Sequence, residues 1–261
     1  MSARIKFVTI LGSGTSTGVP VIGCSCSVCS SGESKNQRFR ASIMLTTYEG
    51  KNIVVDTGPE FRLQMLRQRV DSLASVIYTH IHADHCHGFD DLRSFYFLNK
   101  QPVNCFMHKR FAGEFKQKFS YAFEATGYLG NAPQIQLNEI EDGNYEIAGL
   151  EFEFVSLPHG NIETVAFRVG EFIYATDFKQ LPAAILDAWK GKVSVMVASG
   201  LRFAPQHPTH QIIPEALKTF ENLGVRRGII SHLTHDVEYF EASQRMPEFA
   251  EIAFDGMRIE L

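Results

Sequence analysis

The sequence lacks a hydrophobic run that could cross a membrane, since no stretch of about 18 uninterrupted apolar residues occurs. A signal-peptide pattern is also missing, because residues 1–6 lead directly into an apolar segment. The formal net charge is −4, whereas a broad nucleic-acid-binding face usually carries an excess of positive charge. We therefore expect a cytoplasmic protein without membrane contacts. We favour a small molecule over nucleic acid as its partner, although nucleic acid stays an open alternative.

Cysteine is scarce and unevenly placed, which argues against a disulfide framework. The sequence contains five cysteines, of which Cys24, Cys26 and Cys29 lie close together while Cys86 and Cys105 stand alone. Three thiolates at this spacing suit tetrahedral zinc but lack a fourth ligand. The alternative is that they are small buried residues or oxidation-prone thiols.

The sequence also lacks internal repeats, low-complexity tracts and Pro/Ser-rich linkers that would mark a domain boundary. With 44% hydrophobic residues, a chain of 261 residues can bury one large core. We expect a single domain that covers residues 1–261.

Segments typical of strands and helices alternate along the chain. Apolar runs bounded by turn residues predict strands at residues 7–11, 42–45, 52–56, 74–78, 150–155, 164–169, 172–175 and 227–231. Helices are predicted after Pro59, over residues 110–119 and over residues 211–223, with the last one ending at Gly224. Polar residues that follow different strands are therefore expected to meet along one edge of packed sheets.

Four side chains of the metal-binding type occupy a short segment after the strand at residues 74–78: His80, His82, Asp84 and His85. Neutral imidazole and carboxylate both suit divalent transition metals. Alternation lets His80 and His82 point the same way, and Asp84 and His85 can turn toward a second ion once the strand ends. Because such a cluster rarely arises by chance, we interpret it as a metal site on a loop rather than as surface or core histidines.

Four ligands cannot complete two metal ions, so further ligands should follow other strands. His159, Asp177 and His232 each stand shortly after a predicted strand. Taken singly, each would more often be a satisfied polar residue or a turn cap. Together they supply the missing ligands.

In this order the residues resemble the signature of the metallo-β-lactamase superfamily, His-x-His-x-Asp-His followed by a separate His, an Asp and a final His. The resemblance implies an α/β fold of the α+β type, an αββα sandwich of two mixed β-sheets flanked by helices. It places Asp56 near the site as a supporting residue. It implies two ligand triads and a bridging aspartate: His80, His82 and His159 for one ion, Asp84, His85 and His232 for the other, and Asp177 between them.

Two cations about 3.5–4 Å apart would account for hydrolysis, because a water that they share loses a proton near neutral pH and becomes the nucleophile. The expected target is a phosphodiester or a carboxyl-type bond, and no redox cofactor is needed. Two divalent ions, Zn or Mn, are the expected cofactors of this site. Asp84 counts among the catalytic residues as well as among the ligands.

The cysteine segment narrows the resemblance to the PhnP-like phosphodiesterases, relatives of the tRNA-processing endonuclease RNase Z. Residues 11–24, 56–59, 85–93 and 207–210 also look like this subgroup. Some of its members carry a structural Cys₃His zinc, which implies one structural Zn bound by four residues: Cys24, Cys26, Cys29 and His235. The sequence departs from the pattern at Ser199, where many relatives have an aspartate, so no acidic role is expected there.

Cleavage of a phosphodiester also calls for an acid that protonates the departing alkoxide, and such an acid contributes about 10²–10⁴-fold in rate. His210, at the start of the predicted helix, is the expected acid because similar phosphodiesterases have a histidine before the final ligand. His207 is the alternative. Either residue could instead be a helix-terminal residue with a solvent partner.

The function predicted from these features is that of a binuclear metal-dependent hydrolase, a phosphodiesterase that cleaves a small cyclic or nucleotide-like phosphodiester through a metal-bridging hydroxide. An RNase Z-type nuclease is the nearest alternative, although the sequence has no long Gly-Pro-rich arm and little positive charge. A thioesterase or lactonase is disfavoured by the cysteine set. A non-catalytic metal-binding protein is disfavoured by the full ligand set, and a homodimer is compatible with the sequence.

Overall fold

Two β-sheets form the centre of the structure, a computed structural model that describes residues 4–123 and 132–261. The strands in these residues are β1 Ile5–Gly12, β2 Ser42–Thr47, β3 Asn52–Val55, β4 Ser75–Tyr78, β5 Val103–His108, β6 Ile135–Ile140, β7 Gly143–Ile147, β8 Leu150–His159, β9 Ile162–Val169, β10 Phe172–Ala175, β11 Val195–Ser199, β12 Arg227–Ser231, β13 Ala250–Ile252 and β14 Arg258–Glu260. All the strands predicted from the sequence are present. The sequence did not predict β5, β6, β7, β11, β13 or β14.

Helices connect many of the strands along the chain. They are α1 Phe61–Gln68, α2 Ala83–Cys86, α3 Arg93–Asn99, α4 Lys109–Lys118, α5 Ser120–Phe123, α6 Ala183–Trp189, α7 Ile213–Leu223 and α8 Tyr239–Gln244. The three predicted helices correspond to α1, α4 and α7, and Gly224 ends α7 in a left-handed conformation, as predicted. No helix in the described part of the chain is both long enough and apolar enough to cross a membrane.

Each sheet is antiparallel over one half and parallel over the other. The first sheet has the order β14-β1-β2-β3-β4-β5-β6, with antiparallel pairs from β14 to β3 and parallel pairs from β3 to β6. The second sheet has the order β7-β8-β9-β10-β11-β12-β13, with antiparallel pairs from β7 to β10 and parallel pairs from β10 to β13. The two sheets thus repeat one topology, which the sequence does not reveal because the halves share no residue pattern.

The core has two layers because the central strands are buried on both faces. Ile229 and Ile230 are consecutive on β12, yet Ile229 belongs to the apolar cluster that joins both sheets, and Ile230 belongs to a second cluster with α6 and α7. Neighbouring residues of a strand point to opposite faces, so a strand covered on both sides is a continuous apolar run. Two mixed sheets flanked by helices confirm the predicted αββα sandwich of the metallo-β-lactamase type. The single domain and the cytoplasmic location stay predictions.

Gly228 on β12 lies directly against Phe220 of α7. A Cβ atom at Gly228 would overlap the ring of Phe220, which is fully buried. Because the ring cannot move away without a shift of the helix, we expect Gly228→Ala to lower the free energy of unfolding by about 1–3 kcal/mol.

The matched control is Gly113→Ala in the exposed face of α4, where an added Cβ meets no atom within 4 Å. This change should raise the free energy of unfolding by up to about 1 kcal/mol, because alanine favours a helix more than glycine does. Urea denaturation of both variants measures the difference. A G228A protein as stable as the parent would contradict the described packing of α7.

Candidate functional site

Strand ends from both sheets bring the predicted ligands to one edge of the sandwich. His80 follows β4, Asp177 follows β10 and His232 follows β12, each within two residues of the strand end. His159 is the last residue of β8, which extends past the strand predicted at residues 150–155. Ligand-type side chains that are far apart in sequence therefore meet in space, as the sequence analysis predicted.

Three residues at this edge adopt left-handed backbone conformations. Asp56 has a φ of 64°, Asp177 a φ of 55° and His232 a φ of 57°. Such a conformation costs a non-glycine residue about 1–3 kcal/mol, although Asp and His tolerate it better than most residues. Glycine would fit these backbones at lower cost, so the side chains themselves account for the residues at these positions.

The first group of donors contains three histidines. His80 Nε2 lies 3.0 Å from His82 Nδ1, and the His159 ring is centred 5.4 Å and 5.1 Å from the rings of His80 and His82. Burial lowers the pKa of His80 well below its ordinary value and that of His159 to about 4. Both rings are therefore neutral at pH 7, which is the form that binds metals, and the three side chains could hold one ion.

The second group contains Asp84, His85 and His232, with Asp177 beside it. His85 Nε2 lies 3.3 Å from an oxygen of Asp84 and 3.3 Å from an oxygen of Asp177. His232 Nε2 lies 3.1 Å from the other oxygen of Asp177. Asp177 also falls into a possible ligand group with His80, so its carboxylate stands between the two groups. The structure thus brings all seven predicted active-site ligands together, and their binding of metal stays a prediction.

The electrostatics of the second group favour ionised carboxylates. Burial alone would raise the pKa of Asp177, but His232 and His85 hold it well below its ordinary value. Burial opposes ionisation of Asp84 as well, and His85 again lowers its pKa. Both carboxylates are therefore charged at neutral pH and available to a cation.

Two buried nitrogens test whether metal ions fit this site. The Nε2 atoms of His85 and His232 are buried and have no hydrogen-bond partner among the described residues, although they lie close to carboxylate oxygens. A buried polar atom left without a partner costs about 1–3 kcal/mol. Imidazole nitrogens and carboxylate oxygens that converge in this way form a donor set for divalent ions, so the residues fit the metals that the fold family binds.

Asp56, predicted as a supporting residue, lies directly behind His85. Its Oδ2 accepts a hydrogen bond from His85 Nδ1 at 2.7 Å and another from the Thr79 hydroxyl at 2.8 Å, while its Oδ1 accepts from the Thr79 amide at 2.8 Å. The carboxylate is fully buried. These bonds fix the His85 ring with Nε2 facing the ligand group, which is how an outer carboxylate orients a metal-binding histidine.

His82, Asp84 and His85 were expected on a loop, but the segment after His82 is one helical turn, α2. His82 precedes this turn, and the backbone amide of His85 donates to the His82 carbonyl. The turn places Asp84 and His85 toward the second group while His80 and His82 face the first. A helix of four residues lies below the length that sequence periodicity can detect.

The three cysteines meet His235, as the family resemblance implied. The Sγ atoms of Cys24, Cys26 and Cys29 lie 3.3, 3.4 and 3.5 Å from His235 Nδ1. Zn–S bonds of about 2.3 Å and Zn–N bonds of about 2.0–2.1 Å in a tetrahedron separate sulfur and nitrogen by about 3.5 Å. The four atoms therefore have the spacing of a zinc tetrahedron, and no sulfur of the three is engaged in a disulfide.

His210 and His207 occupy the connection between β11 and α7. His210 Nε2 lies 2.9 Å from Asp177 Oδ1, and its Nδ1 lies 3.1 Å from His207 Nδ1. His210 is thus the nearer of the two to the ligand groups, and with His159 and Asp177 it could also hold an ion. The expectation that it starts a helix is wrong. The helix begins at Ile213. The amide of residue 211 donates to the Phe178 carbonyl, so this residue lies outside the helix.

Two charged residues that the sequence analysis missed hold this connection in place. Lys179 Nζ donates to the His210 carbonyl at 3.3 Å and pairs with both carboxylate oxygens of Glu215 at 2.7 Å. Glu215 also accepts from the Ile212 amide at 3.0 Å. The only available signal was the position of Lys179 two residues after a predicted ligand, and it is too weak to select a lysine.

A pocket of about 560 Å³ opens over the ligand groups. Arg202 is the one lysine or arginine among its described lining residues, and its Nε donates to the Pro205 carbonyl at 3.2 Å. Hydroxyls from residues 15–17 line another wall. Ser199 does not line it. A cavity of about 620 Å³ at the opposite end of the strands contains none of the predicted site residues, so we place the site in the smaller pocket.

Comparison with known proteins agrees with this geometry. A family described as Beta-lactamase superfamily domain matches residues 51–233. A crystal structure of a new diphosphatase from the PhnP family is 33% identical, with a TM-score of 0.90, and the match covers 99% of this chain and 98% of that one. Zn²⁺-bound PqqB from Methylobacterium extorquens matches at 18% identity and a TM-score of 0.76, over 98% of this chain and 100% of that one. At this identity the likeness concerns the fold.

Two further matches extend the comparison. Human tRNase Z, short form, has the same fold at 15% identity and a TM-score of 0.65, over 97% of this chain and 98% of that one. An octanoyltransferase of Porphyromonas gingivalis (strain W83) is 33% identical over 250 residues, which are 95% of this chain and 50% of that protein. The chain therefore spans half the length of this curated relative.

Asp56→Asn tests the support of His85. The variant keeps the size of the side chain but removes its charge, so the His85 ring should lose its fixed orientation. We expect affinity for the active-site metals to fall about 10- to 100-fold, as for other outer partners of metal-binding histidines. Chelator titration followed by elemental analysis measures the metal affinity.

The control is Asp187→Asn on the exposed side of α6, which should leave metal affinity unchanged. Equal affinities in D56N and the parent would contradict the role of Asp56.

Proposed function

Since the chain belongs to the β-lactamase superfamily, and within it to the PhnP family, we propose that it is a phosphodiesterase that hydrolyses a small phosphodiester. The observation that carries the proposal is the convergence of seven ligand-type side chains beneath a polar pocket, next to a Cys₃His group. The hydrolase class follows from the fold family. The phosphodiester substrate is the proposed part.

Two groups of donors suit two divalent ions, Zn or Mn. In the proposal His80, His82 and His159 would hold one ion, Asp84, His85 and His232 would hold the other, and Asp177 would serve both. Bound ions would acidify a water molecule and stabilise negative charge on the phosphoryl oxygens. The Cys₃His group holds a structural zinc in the same proposal, because its four donor atoms have tetrahedral spacing.

The chain's own residues supply the remaining steps. His210 lines the pocket with its Nε2 2.9 Å from Asp177 Oδ1, so a proton on Nε2 would lie between the imidazole and this carboxylate at the edge of the ligand groups. When the P–O bond to the leaving group breaks, this proton passes to the departing oxygen, which leaves as an alcohol. Lys179 and Glu215 keep the His210 backbone in position.

The pocket favours a small anionic substrate. Arg202 lines the same pocket as the ligand groups, and arginine binds phosphate oxygens in a forked geometry. A volume of about 560 Å³ lies in the range of small-molecule sites. The net charge of −4 gives no general attraction to RNA, which disfavours the RNase Z-type alternative. The proposal also includes a homodimer.

Acyl chemistry is the second candidate, and one relative favours it. The octanoyltransferase match covers only half of that protein, so its name describes a molecule twice as long as the matched region. A thioester or lactone substrate could use the same metals. These substrates therefore belong in the test of the proposed function.

The deciding assay offers the metal-loaded protein three substrates at equal concentration: bis(p-nitrophenyl) phosphate, an octanoyl thioester and a lactone. We expect turnover of the phosphodiester and none of the other two above background, because the pocket pairs metals with a guanidinium that suits a phosphoryl group. Absorbance of released p-nitrophenolate and of free thiol, with pH-stat titration for the lactone, measures each rate. Clear thioester or lactone hydrolysis without phosphodiester hydrolysis would overturn the proposal.

His210→Ala tests the acid. We expect kcat to fall about 10²–10⁴-fold for a phosphodiester with a simple alcohol as leaving group, and to fall much less for a p-nitrophenyl ester, whose leaving group departs without a proton. Metal content should stay at the parent value. His207→Ala is the matched comparison, because His207 contacts His210, which in turn contacts Asp177. A larger loss in H207A, or a large loss of metal in H210A, would defeat the assignment.

A further inference from the structure

Arg38 is a buried cation without an ion-pair partner. Its side chain is 2% exposed, and among the described residues no carboxylate lies within 4 Å of it. Burial lowers the pKa of Arg38 to about 10, while Asp255, Glu238 and Cys29 oppose the shift, so the guanidinium is charged at neutral pH. A buried charge without compensation costs several kcal/mol. Asp255 and Glu238 compensate part of this charge from beyond 4 Å, and the contacts of the guanidinium itself show what else the residue does.

The guanidinium binds backbone carbonyls on both sides of His235. Nη1 donates to the Thr234 carbonyl at 3.0 Å, and Nη2 donates to the Val237 carbonyl at 2.7 Å. Nη2 also lies 3.3 Å from Asn36 Oδ1. The planar fork of arginine fits two acceptors at once, so one side chain fixes the turn that carries His235.

The Arg38 backbone is hydrogen-bonded to the start of the cysteine loop, residues 19–29. Its amide donates to the Val19 carbonyl at 2.7 Å, and the Val19 amide donates back at 2.9 Å. Val19 packs with Val28 and Cys29 in a small separate apolar cluster. Arg38 therefore joins the segment that carries the three thiols to the segment that carries the imidazole.

Charge balance points the same way. Three thiolates, one Zn²⁺ and a neutral imidazole sum to a net charge of −1. Asp255, Glu238 and, to a smaller extent, the buried Cys29 all raise the pKa of Arg38. A guanidinium bound to the turn that carries His235 would offset part of the net negative charge of the zinc site, and a Cys29 thiolate would add to the carboxylates that stabilise the guanidinium.

We propose that Arg38 is a positioning residue for the Cys₃His site, which holds the His235 turn against the cysteine loop and balances the negative charge of the bound zinc. The inference rests on the structural zinc of the proposed function. Replacement by methionine removes both contributions, whereas replacement by lysine keeps the charge and loses the fork. The two variants therefore separate charge from geometry.

The test measures zinc retention and thiolate coordination in the full-length protein. Competition with a chromogenic chelator gives the zinc affinity, and the thiolate-to-metal absorption of the Co²⁺-substituted protein reports the cysteine ligands alone. We expect R38M to release the structural zinc at a chelator concentration about 10- to 100-fold lower than the parent, with R38K between them. The control K35M removes a cation from the same segment, where Lys35 contacts Tyr239 instead of the His235 turn, and should match the parent.

Three outcomes decide the matter. No thiolate-to-cobalt absorption in the parent would remove the structural zinc itself, and with it the basis of the inference. A parent with this absorption and an R38M protein with the same chelator midpoint would overturn the role of Arg38 alone. A purely structural role is tested in the C24S/C26S/C29S background. There, R38M should lower Tm much less than in the parent, and an equal decrease in both backgrounds would also overturn the proposal.

Discussion

The fold brings two ionised carboxylates and several buried imidazoles into contact at one edge of the sandwich, and this concentration of donors requires positive charge. Asp84 and Asp177 stay ionised because neighbouring histidines lower their pKa values. In a poorly solvated site, unbalanced carboxylates would cost several kcal/mol each. The balance must come from protonation of His85, whose pKa the carboxylates raise against the effect of burial, or from divalent ions. Both sheets need to hold their strand ends in register for this edge to exist.

The repeated topology of the two sheets explains how the edge is shared. The strands β3 and β10 occupy the same position in their sheets, at the change from antiparallel to parallel pairing. Each is followed by an aspartate in a left-handed conformation, Asp56 after β3 and Asp177 after β10. Their roles differ because of what they meet: Asp56 accepts hydrogen bonds from His85 and Thr79, whereas Asp177 faces His85 and His232 directly. One fold position thus serves once as a support and once as a central donor.

The sequence predicted correctly those features whose apolar or ligand-type residues are adjacent in the chain. The buried strand at residues 227–231 and the ligand cluster after β4 are visible because a few adjacent residues carry the pattern. Strands such as β6 and β7 were missed because most of their residues are exposed or half-exposed, so their apolar alternation is weak. The roles of Arg38 and Lys179 could not be predicted for another reason. The backbone carbonyls that their side chains bind lie 31 to 199 positions away, and a single arginine or lysine has no local pattern that predicts such a partner.

The Cys₃His group is separate from the seven predicted active-site ligands, yet His235 and residues close to the cysteines line the pocket above them. Leu233, next to His232, accepts from the Thr15 amide at 3.0 Å and donates to the Ser13 carbonyl at 2.8 Å. Residues 15–17 and Val21 of this N-terminal region, together with His235, line the pocket. Part of the pocket lining thus comes from a loop with a small apolar cluster of its own. Such a loop has little packing to hold it, since small apolar clusters contribute few contacts. In the proposed function, a zinc ion bound by the three cysteines and His235 would cross-link this loop and fix its position at the pocket.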